Sequence, residues 1–197
     1  MAESAVGIME EEINTLLSKG AIGVVPPQER QAGWYSRYFV VPKRNGSLRP
    51  ILDLRVLNGY LRIFRFRMLT ARQFLNSVSL GMWFTSIDLT DAFQHIAIHA
   101  THRKFLRFAF GGTAYECLIL PFDLALSPRC FTKTLEAALT PLRAQGIRIL
   151  AYLDDMAIVC HSKEQAVRHT ATVLAHIQAL GFAVNYLKQF QASVLNS

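Results

Sequence analysis

Cysteine is scarce in this sequence. Cys117, Cys130 and Cys160 are odd in number, widely spaced and set among apolar neighbours, which excludes a disulfide framework and reads as buried free thiols in a reducing compartment. Charge is sparse as well, at 18% of residues against 51% hydrophobic, so the chain is not a disordered polyelectrolyte. Its 197 residues can bury a substantial core as one domain or two small lobes. The opening MAESAVGIMEEEINTLL is acidic where a secretory leader would be basic, and too polar to span a bilayer. Neither secretion nor a membrane partner is expected, which leaves the cytosol or nucleus. Repeats and low-complexity linkers are absent.

Acid is rarest where base is densest. The whole chain carries 21 Lys and Arg against 14 Asp and Glu, a formal +7, but from Arg30 to Arg72 ten basic residues face the single acid Asp53. A polyanionic partner that meets this segment is the natural counterpart. Trp34, Tyr35 and Tyr38 beside Arg37 suit stacking on unpaired bases or, equally, an apolar hairpin seam.

Local signals divide the chain clearly. A first helix is expected over EEINTLLSK with Gly20 as its stop, and YFVVPK and SLRPILDL flank the turn Asn45-Gly46, a hairpin signal. Thr70 can cap a helix carrying Phe74, Leu75 and Val78, and MWFTSIDL reads as a buried strand. HIAIHA and KFLRFAF look like a strand pair, with His95 and His99 on one strand face. Adding His102 gives no cysteine partner and no zinc-protease order. Ser127-Pro128 starts a helix spaced by Phe131, Leu135, Ala138 and Leu142, which Pro141 should kink or shorten before Gly146. Ser162 with Gln165 makes a capping box for a helix with Val167, Thr170, Leu174 and Ile177 on one face and Gly181 at its end. Strands and helices mix without strict alternation, so the fold class is α+β.

The stretch RILAYLDDMAIVC sets Asp154 and Asp155 between two apolar runs, the pattern of a β-hairpin whose tight turn carries both acids. Two turn acids alone are most simply solvated. A second site of the same kind changes that balance: TSIDLTDAF delivers Asp88 and Asp91 from the end of another hydrophobic strand. A carboxylate beside a core costs several kcal/mol unless it is paired or bound to metal. Two such sites, next to a basic lobe, are what two-metal phosphoryl transfer needs, and hard oxygen ligands suit Mg²⁺. Composition and spacing lead as far as a metal-dependent enzyme on nucleic acid, with nuclease and polymerase both open.

FVVPKRNGSLRPILDLRVLN, FTSIDLTDAF, LPFDLALSPRCF, YLDD and GFAVNYLK stand in the order of the sequence blocks of retroelement reverse transcriptases. The chain resembles that family from about Lys19 almost to its end, and the wording is most similar to the DIRS-like tyrosine-recombinase retrotransposons. The resemblance implies a right-hand polymerase with basic fingers over residues 21–80, after an N-terminal lead-in of 1–20, and an antiparallel palm backed by helices over 81–197. Part of the fingers can return around 94–120. It implies template-directed addition of deoxynucleotides to a primer 3′-hydroxyl on an RNA or DNA template, with two Mg²⁺ ions, Mn²⁺ being a substitute.

Residue by residue, the resemblance makes Asp88, Asp154 and Asp155 the catalytic, metal-holding acids, with Asp88 and Asp154 as the more direct ligands. Phe93 falls at the steric gate against a ribose 2′-hydroxyl. Asp91 and Ala92 line the triphosphate pocket through their N–H groups, and Lys43 and Arg49 grip the incoming phosphates. Phe122 and Asp123 of LPFD lie at the nucleotide, and Lys188 stands where a lysine can protonate the pyrophosphate. Phe93 as core, Arg49 as a solvated hairpin charge and Lys188 as a surface lysine are the plainer readings.

Two departures bear on activity. Asp123 stands where the family has a glycine, and the sequence stops soon after Lys188, so a thumb and RNase H would come from a longer polyprotein. A catalytically inactive nucleic-acid-binding remnant is therefore the alternative reading, with a nuclease third.

Overall fold

The structure, a computed structural model, describes residues 5–42, 46, 48–186 and 190–194, the last five by their backbone. The chain divides into two compact units: residues 1–63 with 96–127, and residues 64–95 with 128–197. The ladders within both are antiparallel, in keeping with the expected α+β class.

In the first unit, helix α1 (Ala5–Ser18) starts earlier than its sequence signal and buries Met9 and Ile13, one turn apart on one stripe. It stops where the glycine signal places its end. Gly20 turns at φ 65°, its N–H donates to Leu17 O (3.0 Å), and the Ala21 N–H donates to Leu16 O (2.8 Å). This pair of bonds is the Schellman closure, which satisfies carbonyls the helix end leaves open.

Strand β1 (Ile22–Val24) joins β5 (Arg107–Phe110) and β6 (Thr113–Cys117) in a sheet of order β1-β6-β5. Strands β2 (Arg37–Pro42) and β3 (Leu48–Asp53) form the expected hairpin. Their register sets Pro42 opposite Leu48, whereas a two-residue turn at Asn45-Gly46 would have faced Pro42 with Arg49. Arg49 instead pairs with Val41 and is exposed. Tyr38 lies against Phe108, with ring centroids 4.8 Å apart, so this aromatic belongs to an apolar seam. Helices α2 (Arg55–Tyr60) and α4 (Ala100–Arg103) complete the unit.

The buried Arg107 ties the unit together. Its Nη1 donates to Glu29 O and Ala32 O, both at 2.7 Å, its Nε and Nη2 donate to the Glu116 carboxylate, and Nη2 also reaches Glu29 Oε2. A guanidinium can be buried only when its donors are met in this way.

The strand pair predicted from HIAIHA and KFLRFAF does not form. Ala97 makes an isolated bridge to Ile119 and Ile98 N–H donates to Leu118 O, while β5 pairs with β6. His95 ends a short 3₁₀ helix, Ala92–His95, in the second unit, whereas His99 caps α4 in the first. They share no strand face.

The second unit is built on four strands in the order β7-β8-β4-β9: β4 (Trp83–Asp88), β7 (Ile149–Tyr152), β8 (Asp155–Cys160) and β9 (Phe190–Val194). Helix α3 (Ala71–Leu75) has the Thr70–Gln73 capping box but ends before Val78. Helix α5 (Ser127–Ala144) runs through Pro141 and is not shortened by it. Only one helical N–H is missing there, one turn from an end that is already open. Its fully buried stripe is Phe131, Leu135, Leu139 and Leu142, with Leu139 in place of Ala138.

Helix α6 (Lys163–Ala179) lies against β8 and β4 through Ala166, Thr170, Val173 and Ile177, while Val167 is exposed. At its cap Ser162 accepts from Gln165 N–H, but the Gln165 side chain reaches His161 N–H, so the box is opened by one residue. Each fully buried aliphatic or aromatic side chain contributes about 1.5–3 kcal/mol. Among the described residues no helix is long and apolar enough to cross a membrane.

Candidate active site

The acids sit at one end of the second unit's sheet. Strand β4 lies between β8 and β9, and α6 packs against it. Thr85, Ile87 and Asp88 are buried, Asp88 being 6% exposed. In the β4–β8 ladder Asp88 stands directly opposite Asp155. The ladder then continues into the neighbouring turn, where Leu89 N–H donates to Asp154 O at 2.9 Å. Residues distant in sequence thus share one strand end.

The turn differs from the sequence reading in one respect. Tyr152 pairs with Asp155, so the two central turn residues are Leu153 and Asp154, and Asp155 is already the first residue of β8. Leu153 has φ 51°, a left-handed conformation that a bulky residue adopts only under constraint. Asp91 has φ 49°, which an Asp tolerates better. Strained backbone of about 1–3 kcal/mol per residue concentrates at functional sites, and here both such non-glycine residues among the described ones flank the acids.

Asp88 is gripped from a third element. Asn185 donates its main-chain N–H to Asp88 O and its side-chain Nδ2–H to Asp88 Oδ2, both at 2.8 Å. The segment preceding it is laced to the same loop, with Thr90 N–H on Ala183 O and Leu89 bridging Val184. Asn185 was missed as a site residue. The signal was present in GFAVNYLK, where a lone amide side chain lies between an apolar run and a tyrosine.

Phe93 projects from the 3₁₀ helix, half-exposed, with its ring edge-on to the buried Phe131 at 5.6 Å. It is braced by core without being part of it. Asp91 is exposed and its carbonyl accepts from Gln94 N–H, 2.7 Å away. His95 sets Nε2 3.0 Å from Thr90 O and its ring against Phe182.

In the first unit Phe122 is 80% exposed and Asp123 is exposed. Their loop is held by Asn58, whose Nδ2–H donates to Asp123 O and whose Oδ1 accepts from Ala125 N–H, each at 2.9 Å. The buried Ser127 hydroxyl donates to Pro121 O at 2.7 Å. Asp123 is not among the residues of positive φ, so its backbone is one that any residue can adopt. Asp53, the lone acid of the basic stretch, accepts from Arg55 N, Nε and Nη2, and the Arg55 guanidinium holds its carboxyl down at about 2. Lys43 and Lys188 lie outside the described residues.

Among the described residues no group of three or more His, Cys, Asp or Glu side chains is set up to hold a metal ion by itself. Mg²⁺ favours a different arrangement, one or two carboxylates with waters and substrate phosphates in the remaining positions, and the donor set of Asp88, Asp154 and Asp155 is of that chemistry.

A profile of the reverse transcriptase (RNA-dependent DNA polymerase) family matches residues 41–193, and the chain belongs to that family. The Transposon Tf2-3 polyprotein of Schizosaccharomyces pombe (strain 972 / ATCC 24843) is 26% identical over 180 residues, 91% of this chain and 13% of the polyprotein. The Transposon Tf2-7 polyprotein of the same organism is 25% identical over the same shares. Among solved structures, a Prototype Foamy Virus Protease-Reverse Transcriptase CSH mutant superposes with TM-score 0.79 at 19% identity, covering 98% of this chain and 26% of the viral one. The native viral protein gives 0.78 at 18%. These structural likenesses establish the fold, that of polymerase fingers and palm. The chain spans about 13% of the length of the transposon polyproteins it matches.

Proposed function

We propose that the chain catalyses template-directed addition of deoxynucleotides to a primer 3′-hydroxyl, as the reverse transcriptase domain of a retrotransposon polyprotein. One observation carries this reading: Asp88 faces Asp155 across the β4–β8 ladder while Asp154 is bonded through its carbonyl to Leu89. Asp88, Asp154 and Asp155 would hold Mg²⁺, or Mn²⁺ in its place. When bound, the two ions activate the attacking hydroxyl and steady the leaving oxygen.

The chain's own residues do the rest. The buried Asp88 is fixed by strand and loop, so it presents its carboxylate without reorganisation. Phe93, braced on Phe131, would bar a 2′-hydroxyl by contact. Asp91 and Ala92 would offer main-chain N–H groups to the triphosphate. Arg49 and Lys43 would bind its phosphates, Phe122 and Asp123 would border the nucleotide, and Lys188 would supply a proton to pyrophosphate. RNA or DNA template with primer and deoxynucleoside triphosphates are the partners, and the thumb and RNase H of a longer polyprotein would complete the machine. The narrower likeness to tyrosine-recombinase elements rests on the sequence blocks alone.

Asp123 favours a second reading, a nucleic-acid-binding remnant without catalysis, because at the nucleotide position its carboxylate would repel a triphosphate. Primer extension on a primed homopolymer separates the two. Mg²⁺-dependent incorporation that disappears in Asp88→Asn supports the polymerase; template binding without incorporation supports the remnant. Cleavage of a labelled strand without added nucleotides would reveal a nuclease.

A further inference from the structure

The two-point grip of Asn185 on Asp88 has a division of labour. The bond from the Asn185 main-chain N–H to Asp88 O (2.8 Å) is available to any residue except proline, and it suffices to dock the 183–186 segment, which Thr90 and Leu89 also hold. The bond from Nδ2–H to Asp88 Oδ2 (2.8 Å) is not. It fixes the plane of a carboxylate that the fold has buried and set opposite a second carboxylate. A side-chain amide donor is well suited to this. It is neutral, so it adds no charge beside a cation, and it is planar, so it constrains direction as well as distance.

We infer that Asn185 is a positioning residue for metal binding: its amide orients the Asp88 carboxylate toward the ions that the polymerase reading places there. The inference rests on that reading. Outer residues that orient ligating groups in this way typically change metal affinity or activity by about 10- to 100-fold when lost.

The test uses the 197-residue chain, Mn²⁺ alone as probe, and electron paramagnetic resonance of the free ion to measure occupancy. Asn185→Ala removes the donor and leaves space, whereas Asn185→Leu removes it and keeps the volume. Because the main-chain bond survives in both, the fold is expected to persist, and thermal unfolding in chelator checks that it does. Both variants should weaken Mn²⁺ binding by roughly 10-fold or more and to a similar degree. In primer extension, kcat should fall by a like factor with the nucleotide KM little changed.

A packing role would instead separate the two variants, Leu behaving like wild type and Ala losing stability, and would overturn the inference. Unchanged Mn²⁺ affinity in both, with wild type binding normally, overturns the inference and leaves the polymerase reading intact. A wild-type chain that binds no Mn²⁺ removes the metal site itself, and the inference with it. Should either variant unfold, the other decides on the same readout. Should both unfold, the grip is structural and the inference is wrong.

Discussion

Asp88 and Asp155 face each other across an antiparallel ladder, the last residue of one strand opposite the first residue of the next. Like charges directly opposite each other across a ladder are destabilising. A cation held between them, as the proposed function requires, would offset that repulsion. Asp155→Asn should therefore raise thermal stability in chelator while lowering Mg²⁺-dependent extension by about 100-fold or more, given the several kcal/mol such ions contribute. Added Mn²⁺ should stabilise wild type more than the variant. Melting curves with and without Mn²⁺ check both signs, and a variant that melts lower in chelator would contradict the repulsion.

Two glycines of positive φ should respond differently to alanine. Gly33 has φ 100°, and a Cβ there would overlap the Lys104 carbonyl oxygen, the same oxygen that accepts from Trp34 N–H. Gly33→Ala should cost roughly 3 kcal/mol or more, since backbone strain and a lost contact combine. Gly46 has φ 82° but open space around it, so Gly46→Ala should cost only about 1–2 kcal/mol. Urea unfolding of the pair gives the comparison.

Asp123→Gly tests the departure from the family pattern. Because Asp123 has an ordinary φ, glycine brings no conformational relief. Its benefit would come from losing a Cβ and a charge, at about 0.4–1 kcal/mol of stability through the unfolded chain. The expected result, in a protein supplied with a related thumb, is a higher kcat/KM for nucleotide. Asn58→Ala, which releases the 123–125 loop, should raise the nucleotide KM. Equal kinetics for wild type and Asp123→Gly would show the carboxylate to be tolerated.

The basic stretch makes a prediction about salt. Affinity for a primed template should fall linearly with salt on a double-logarithmic plot, because each phosphate contact releases counterions. Arg49→Ala should weaken nucleotide use more than duplex binding. Filter binding between about 50 and about 200 mM salt provides the slope, and a flat line would remove this lobe as the nucleic-acid surface.

Asp53 gives a dependence on pH. Its carboxyl is held at about 2, below its ordinary 3.8, first of all by the Arg55 side chain. A depressed carboxyl stabilises the fold above its unfolded value, and that contribution is lost as pH falls toward the folded one. The stability difference between wild type and Arg55→Ala should thus be full above about pH 5 and shrink between roughly pH 4 and 2. Denaturant midpoints across that range measure it.

Much of this was legible because the signals were local. Gly20 ended α1, Thr70 capped α3, and the apolar runs around Asp88 and Asp154 marked strands whose ends are acidic. What misled was periodicity where tertiary context decides. The alternation in HIAIHA suggested a strand, but the structure has an isolated bridge of Ala97 to Ile119 there, and periodicity could not name that partner or show that His95 and His99 fall in different units. On α6 the small Ala166 was the core contact and the larger Val167 faced solvent, a rotation of one position that hydrophobicity alone cannot resolve. Asn185 escaped notice because its role depends on a residue 97 positions earlier, a distance over which no spacing rule operates.

The order of the strands also has a consequence for how the chain is made. Strand β4 lies at the centre of its sheet, yet both neighbours, β8 and β9, are encoded after residue 154. At about 5–20 residues per second a ribosome needs roughly 3 to 13 seconds to pass from Asp88 to Asp155. Throughout that interval β4, the apolar strand that ends in Asp88, has neither of its neighbours to pair with, so the nascent chain carries a strand with two open edges that must be sheltered.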